Sequence, residues 1–165
     1  MKKILFIVQN PFAGTRLFDV LASQYFVVEA TNAPQALYMA KNHNFSLIVV
    51  DIESTDEAGP GICSCLKESE TTKYIPLILL SSLEQKKNII SRLQAGAEDY
   101  MTKPINNNEL LARVDTHLRT KDYYTELGKQ DLLMVLERTE VVSVTRNPKK
   151  ILRIIVSVIL SEMSY

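Results

Sequence analysis

Cysteine is scarce in this chain of 165 residues, which contains only Cys63 and Cys65. Two cysteines cannot form a framework of several disulfides, and two thiolates are too few for a structural zinc site. Histidine is equally rare, since His43 and His117 lie far apart and no pattern of acidic ligands surrounds either one. The sequence therefore predicts neither a disulfide-stabilised fold nor a metal site built from cysteine and histidine.

An excess of charge of either sign is also missing. The chain has 19 lysines and arginines and 19 aspartates and glutamates, so its formal net charge is zero. Binding to nucleic acid through bulk positive charge needs clustered excess lysine and arginine, so we expect no nucleic-acid partner. The balance equally excludes an acidic disordered tail. The hydrophobic content of 46% and charged content of 23% are instead typical of a globular protein.

Long apolar runs are absent as well. No segment reaches the roughly 18 uninterrupted apolar residues that a membrane-spanning helix needs. Lysines precede the apolar run Ile4–Val8, but this run is shorter than the hydrophobic region of a secretory signal, and no small-residue cleavage site follows it. We therefore expect a cytoplasmic protein that makes no membrane contact.

What the sequence does contain is an alternation of short apolar runs and amphipathic stretches over residues 1–120. Runs that are apolar at nearly every position are typical of parallel strands covered on both faces. The predicted strands are Ile4–Val8, Phe26–Ala30, Leu47–Val50, Leu77–Leu80 and a weaker one at Tyr100–Met101. The predicted helices are marked by Leu17, Val20 and Leu21, by Ala36, Leu37 and Ala40, by Ile62, Cys65 and Leu66, by Ile89, Ile90 and Leu93, and by Leu110, Leu111, Val114 and Leu118. Because each parallel strand needs a crossover helix, this order predicts a doubly wound α/β sheet.

Polar residues follow these strands at the edge of the sheet where doubly wound folds bind ligands. Asp51 ends the third apolar run, Ser81 ends the fourth, and Lys103 follows the fifth. Taken singly, each is most simply explained as a cap, a turn residue or a solvated charge. Taken together, a carboxylate, a hydroxyl and an ammonium group at three strand ends converge on one crevice.

Several linked motifs resemble response-regulator receiver domains of two-component signalling. The first strand with its lysines, Lys2–Val8, and the strand Leu47–Asp51 resemble the family's first and third strands, and Gly59 stands where receivers place a glycine. The segment Ile75–Ser82 resembles the family's fourth strand with its terminal hydroxyl and small residue. The segment Ala95–Pro104 reads Ala-Gly-Ala-Glu-Asp-Tyr-Met-Thr-Lys-Pro and resembles the family pattern almost residue for residue.

This resemblance covers residues 1–120 and implies a flavodoxin-like, five-stranded parallel sheet of order 2-1-3-4-5. It implies that Asp51 accepts a phosphoryl group from a sensor histidine kinase or a phosphotransfer protein. Lys103 would pair with one phosphoryl oxygen, the Ser81 hydroxyl would bind another, and Tyr100 would be the switch residue that moves between exposed and buried positions. Ser82 is small, as access to the phosphoryl group requires. No catalytic effector is recognisable, so we expect a signalling protein rather than an enzyme.

One departure from the family concerns its metal. Receivers carry two acidic residues directly after the first strand, and these hold Mg²⁺ together with the phosphoacceptor, whereas this chain has Gln9 and Asn10. Both amides keep the shape of the acids but lose the negative charges that Mg²⁺ favours. Asp51 then remains as a magnesium ligand, with weak help from Glu53 or Asp56. The sequence predicts a weakened magnesium site.

Two hypotheses follow. The retained Asp51, Ser81, Tyr100 and Lys103 favour a receiver regulated by phosphorylation. The neutral pair at positions 9 and 10 favours a pseudo-receiver, which would act as an interaction or dimerisation module independent of phosphorylation.

Residues 121–165 extend beyond the receiver pattern but remain helical in character. Lys121–Leu127 continues the fifth helix with charged sequence, and Asp131–Glu140 carries an apolar stripe. Asn147 and Pro148 are typical of a helix start, and the run Ile151–Leu160 after them is apolar on nearly every side. Such a run must be buried, so we expect either a homodimer formed through these helices or the start of a truncated second domain. The stretch 136–163 weakly resembles the entry helix of GAF-type sensor domains.

Overall fold

A computed structural model of the chain describes residues 1–52, 58–82 and 96–138, although not the side chains of residues 11–15, 58–60 and 132–138. Strands and helices alternate along these residues. The elements are β1 (Lys3–Val8), α1 (Pro11–Ala22), β2 (Phe26–Ala30), α2 (Ala33–Asn42), β3 (Leu47–Asp51), α3 (Ala58–Glu68), β4 (Leu77–Ser82), β5 (Asp99–Lys103) and α4 (Asn107–Arg138). All five predicted strands are present, each within two residues of its predicted ends.

The strands form one parallel sheet of order β2-β1-β3-β4-β5, which confirms the predicted flavodoxin-like topology. The register is continuous across the middle of the sheet. Val8 of β1 lies opposite Asp51 of β3, and Asp51 lies opposite Leu80 of β4. At the end of the sheet, Ser82 lies opposite Lys103. The strand ends that carry the polar residues are therefore adjacent.

The apolar runs are continuous because both faces of the sheet are covered. Successive side chains of a strand point to opposite faces, so Leu5 and Ile7 join one core while Ile4 and Phe6 join the other. Residues of α2 and α3 complete the first core, and residues of α1 and α4 complete the second. Fully burying one such side chain contributes roughly 1.5–3 kcal/mol, so the central strands are the main source of stability.

Two helices begin at asparagine caps. Asn32 accepts a hydrogen bond through its side chain from the Gln35 backbone N–H at 2.9 Å, at the start of α2. Asn106 accepts one from the Glu109 N–H at 3.0 Å, at the start of α4. Both bonds satisfy backbone donors that have no partner inside the helix. The cap at Asn106 fixes where α4 starts relative to the end of β5.

The simpler explanation of Asp51 and Ser81 as cap or turn residues does not apply. Asp51 is the last residue of β3 and Ser81 lies in β4, and both pair with neighbours on the sheet. The helix α4 corresponds to the fifth predicted helix and continues through residues 121–127, as expected. The fourth predicted helix, the loop of residues 53–57 and the apolar run of residues 151–160 lie outside the described residues.

The chain divides into two compact units, Met1–Lys121 and Asp122–Tyr165. In the second unit the structure describes only helical residues as far as Arg138. Tyr123 and Tyr124 are exposed there, with their rings edge to face and the centroids 6.0 Å apart. Among the helices that the structure describes, none is both long enough and apolar enough to cross a bilayer.

Candidate functional site

The centre of the candidate site is a buried carboxylate paired with a lysine. Asp51 is the last residue of the central strand β3 and is only 3% exposed. Its Oδ1 forms an ion pair with Nζ of Lys103, which ends β5. The same Nζ donates a hydrogen bond to the Ile52 carbonyl oxygen at 3.3 Å. This ammonium group offsets part of the free-energy cost of burying the carboxylate away from water.

The other predicted residues, Ser81 and Tyr100, lie on β4 and β5. Ser81 is 1% exposed and lies one residue beyond Leu80, the register partner of Asp51, and its hydroxyl donates a hydrogen bond to the Ser82 carbonyl oxygen at 3.4 Å. Tyr100 lies three residues before Lys103 on β5, and its hydroxyl hydrogen-bonds Thr102 Oγ1 at 2.7 Å. The structure thus brings Asp51, Ser81 and Lys103 together at one edge of the sheet and leaves Tyr100 partly buried and directed to Thr102.

The two amides that follow β1 have different environments. Gln9 places its Oε1 in the interior, where no described residue donates a hydrogen bond to it. Asn10 is exposed. Because Val8 lies opposite Asp51, Gln9 begins the loop directly beside the carboxylate. Glu53 and Asp56, the two acids expected to help bind a metal, lie outside the described residues.

A crevice of about 710 Å³ opens beside Asp51. Its walls come from α1, from the ends of β3 and β5, and from the loop that leads into α4. The lining residues are Arg16, Leu17, Asp51, Lys103, Pro104, Ile105, Asn106, Asn107 and Asn108. The Lys103–Pro104 peptide bond in this wall is cis. Two cations and one carboxylate thus face a single space that is large enough for a phosphoryl group.

A second polar cluster connects the start of β5 to α4. Asp99 accepts hydrogen bonds from the Tyr100 backbone N–H at 2.7 Å and from Arg113 Nη1 at 2.6 Å, and its Oδ2 lies 3.0 Å from His117 Nε2. Burial raises the pKa of this carboxyl, but the hydrogen bonds from His117 and Tyr100 and the charge of Arg113 outweigh burial. The pKa of Asp99 consequently lies below its ordinary value.

Comparison with known proteins places this geometry in a family. The profile of the response regulator receiver domain matches residues 7–115, a stretch that contains every described residue of the site. The chain belongs to the response regulator receiver family. The receiver resemblance drawn from the sequence motifs is therefore confirmed, and the chain is a receiver domain of two-component response regulators.

Individual relatives agree with this assignment. The receiver is 32% identical over 133 residues to the response regulator PleD of Caulobacter vibrioides, covering 79% of this chain but only 29% of PleD. It is 40% identical, with a TM-score of 0.65, to a solved structure of a response regulator receiver modulated diguanylate cyclase from Pelobacter carbinolicus; the match covers 76% of this chain and 99% of that one. The chain thus spans under a third of the length of PleD, a relative it matches.

A third comparison concerns the metal that receivers bind in their active sites. The receiver domain of a sensor histidine kinase from Pseudomonas aeruginosa was solved with a magnesium ion coordinated in its active site cleft. It is 24% identical to this receiver, with a TM-score of 0.63, and the match covers 71% of this chain and 97% of that one. This likeness shows the shared fold. Within the described part of our chain, no three histidine, cysteine, aspartate or glutamate side chains form a metal-binding group.

Some residues of the receiver site were missed from the sequence. Arg16 carries no motif, because a single arginine in an amphipathic helix is ordinarily a solvated charge. The carbonyl oxygen of Ile52 cannot be recognised from any side chain. Asn106, Asn107 and Asn108 do leave a signal, since three successive asparagines directly after Lys103–Pro104 mark a polar segment at the functional edge of the sheet.

Proposed function

We propose that Asp51 is the phosphoacceptor of this receiver and takes its phosphoryl group from a phosphohistidine of a histidine kinase or a phosphotransfer protein. The observation that carries the proposal is the Asp51–Lys103 ion pair at the wall of an open crevice. A buried carboxylate with a cation beside it and space in front of it is suited to attack phosphorus. Ion pairs that only stabilise a fold have no need of that space.

The proposed transfer is a displacement at phosphorus. One carboxylate oxygen of Asp51 forms the new O–P bond while the P–N bond to the donor histidine breaks, and the nitrogen keeps the electron pair. Such reactions depend mainly on positioning and on neutralising the charge of the equatorial phosphoryl oxygens. Lys103 supplies the ammonium group that offsets this charge, and the buried Ser81 hydroxyl supplies a hydrogen bond.

In the same proposal, Tyr100 transmits the event to the surface. Movement of Ser81 toward the phosphoryl group opens space behind it, and the ring of Tyr100 enters that space. To do so, Tyr100 gives up its hydrogen bond to Thr102, an exchange of about 1 kcal/mol that a few new contacts can offset. The face made by β5 and α4 changes as a consequence.

The donors that remain argue against tight binding of Mg²⁺. Mg²⁺ normally takes one or two carboxylates besides phosphate oxygens and water. Here Asp51 is already neutralised by Lys103, and Gln9 contributes only an uncharged oxygen. We therefore propose a weakened magnesium site, in which Asp51 and Glu53 are the acidic ligands and Glu53 contributes weakly.

The test is covalent labelling with acetyl phosphate and Mg²⁺, followed by intact mass. We expect one phosphoryl group on the wild-type chain and none on Asp51→Asn. Asp131→Asn is a matched control, because Asp131 is exposed and lies in the second unit. Label that survives in Asp51→Asn would overturn the proposal.

A pseudo-receiver is the second candidate, favoured by the neutral Gln9 and Asn10. It would work as an interaction module without phosphorylation. The double variant Gln9→Glu/Asn10→Asp separates the two candidates, because it restores the acidic pair. No labelling of the wild type at millimolar Mg²⁺, together with labelling of the double variant, would favour the pseudo-receiver.

The C-terminal residues 121–165 are proposed to mediate a homodimer or to begin a second domain that is cut short. The exposed Tyr123 and Tyr124 and the apolar run beyond them support a partner for this unit. Light scattering of the full chain and of a chain ending at Thr120 tests the dimer. We expect two copies per particle for the full chain and one copy for the shorter chain. A full chain that is monomeric would exclude the dimer.

A further inference from the structure

Among the described residues that line the crevice beside Asp51, positive charges outnumber negative ones. Arg16 of α1 and Lys103 of β5 are both among the residues that line it, and Asp51 is the sole carboxylate among those lining residues. Gln9 and Asn10, which follow β1 beside the end of β3, are uncharged, whereas the receiver family carries two acids at those positions. The local charge therefore suits an anion better than a divalent cation.

Arg16 is available to bind such an anion. It differs from the other arginines whose side chains are described, since Arg113 pairs with Asp99 and Glu109, and Arg119 pairs with Asp115. Within the same described residues, the exposed Arg16 guanidinium forms neither an ion pair nor a hydrogen bond. Guanidinium groups bind phosphate oxygens through two parallel hydrogen bonds, which makes arginine the preferred side chain for this purpose.

Lys103 also keeps binding capacity. Its ammonium group has three N–H donors; it forms an ion pair with Asp51 and donates one hydrogen bond to the Ile52 carbonyl oxygen. This leaves donor capacity for an oxygen in the crevice.

The start of α4 adds donors from a third direction. Asn106 uses its Oδ1 for the cap and keeps its Nδ2 group as a donor. Asn107 and Asn108 line the crevice as the first residues of a helix whose positive end lies there. The helix end alone would not define a site, but it lies in the same crevice as two cations.

We infer that this crevice binds a tetrahedral phosphate group between Arg16 and Lys103 without a divalent cation. The inference rests on the proposed function of the same site, because it names the charge that replaces the metal when Asp51 is phosphorylated. The guanidinium takes the place of Mg²⁺ as the second positive charge. The same donors bind free inorganic phosphate when Asp51 is unmodified.

The experiment is titration of the full chain with inorganic phosphate in the presence of EDTA, followed by calorimetry. We expect binding that weakens with added salt, and an affinity lower by about tenfold or more in Arg16→Gln, since this variant loses the charge-assisted hydrogen bonds of the guanidinium. Arg16→Lys keeps the charge but loses the paired hydrogen bonds, so its affinity for phosphate should lie between those of the wild type and Arg16→Gln. Arg119→Gln is the matched control and should bind as the wild type does.

Asp51→Asn separates the inference from the proposed function. This variant cannot be labelled, but it removes a like charge from the crevice and should bind free phosphate at least as tightly as the wild type. Phosphate binding that depends on Arg16 in a chain that acetyl phosphate never labels would support the inference and exclude the phosphoacceptor role. Equal phosphate affinities of Arg16→Gln and the wild type, or binding only when Mg²⁺ is added, would overturn the inference while labelling of Asp51 stands.

Discussion

The two ends of the sheet each carry a lysine–carboxylate ion pair, and the pairs differ in how completely their groups are used. At the opposite end from the site, Lys67 of α3 donates to the carbonyl oxygens of Ile75 at 2.8 Å and Lys73 at 3.4 Å and pairs with Glu98. All three of its donors are occupied. The Glu98 carboxylate accepts a further bond from the Leu77 backbone N–H at 2.6 Å, so both of its oxygens are used.

The pair at the site is arranged in the opposite way. Asp51 is the buried member, with a side chain 4% exposed, whereas in the other pair the carboxylate is 40% exposed and the lysine is 12% exposed. Lys103 keeps a donor, and a crevice lies in front of both groups. A pair with every donor and acceptor in use stabilises the fold, and a pair with unused capacity beside open space can react.

Matched amide substitutions give the largest expected contrast. Asp51→Asn should abolish phosphoryl labelling completely yet leave the free energy of unfolding within about 1 kcal/mol of the wild type, because it removes a buried charge that costs free energy to desolvate. Glu98→Gln should retain labelling, but its free energy of unfolding should be lower than that of the wild type by about 1–2 kcal/mol. Intact mass and urea denaturation measure the two effects. Equal losses of stability in both variants would mean that the two pairs have the same role.

The lysine of the Lys67–Glu98 pair, the structural pair, should contribute to stability and not to labelling. Lys67→Met should lower the free energy of unfolding by about 2 kcal/mol, because the Ile75 carbonyl and the Glu98 carboxylate lose their donor. Labelling of Asp51 should be unchanged. Lys73→Met is the control, since this side chain is 28% exposed, pairs with Glu70 and lies over the Tyr74 ring, and so takes no part in binding Glu98. A similar loss in the control would contradict the role given to Lys67.

A glycine next to the structural pair tests how tightly it is packed. Gly96 has a φ of +98°, and a Cβ added to it would lie 3.0 Å from Lys67 Cγ. Gly96→Ala should therefore cost about 1–2 kcal/mol through backbone strain and displacement of the lysine stem. In the Lys67→Met background part of this cost should disappear, because Met can move more freely. Thermal unfolding of the wild type, the two single variants and the double variant measures the coupling free energy between the two sites. Strictly additive losses of stability would show that backbone strain alone is responsible.

The smallest expected effect depends on pH. The Asp99 pKa is lowered by its partners, so the stability that this carboxylate provides is complete above the ordinary value of 3.8 and is lost as pH falls through the lowered value. Asp99→Asn should lower the free energy of unfolding by about 1 kcal/mol at pH 7, and by progressively less as the pH falls below 3.8. Urea denaturation of the wild type and the variant at several pH values measures the difference in free energy of unfolding. A difference that stays constant at acidic pH would contradict the stabilising role of the Asp99 charge.

The sequence allowed the strands, their order and the three residues at the site to be predicted, because apolar runs and the segment around Lys103 leave local patterns. It did not reveal the Lys67–Glu98 network, since both residues look like surface charges and the carbonyl oxygens they bind leave no trace in sequence. Arg16 was missed for a related reason. The role of Arg16 depends on the Asp51 charge beside the crevice, and Asp51 is far away along the chain.

The position of Asp51 in the central strand has a consequence for dynamics. Strand β3 is hydrogen-bonded on both sides and all five of its residues are buried, so its amides should exchange with solvent only when the whole domain unfolds. A reagent reaches Asp51 through the crevice of the folded state and not through local opening of the strand. Gln9 and Arg16 lie outside that strand, so mutation can alter the charge around the reactive carboxylate without weakening the most slowly exchanging part of the protein.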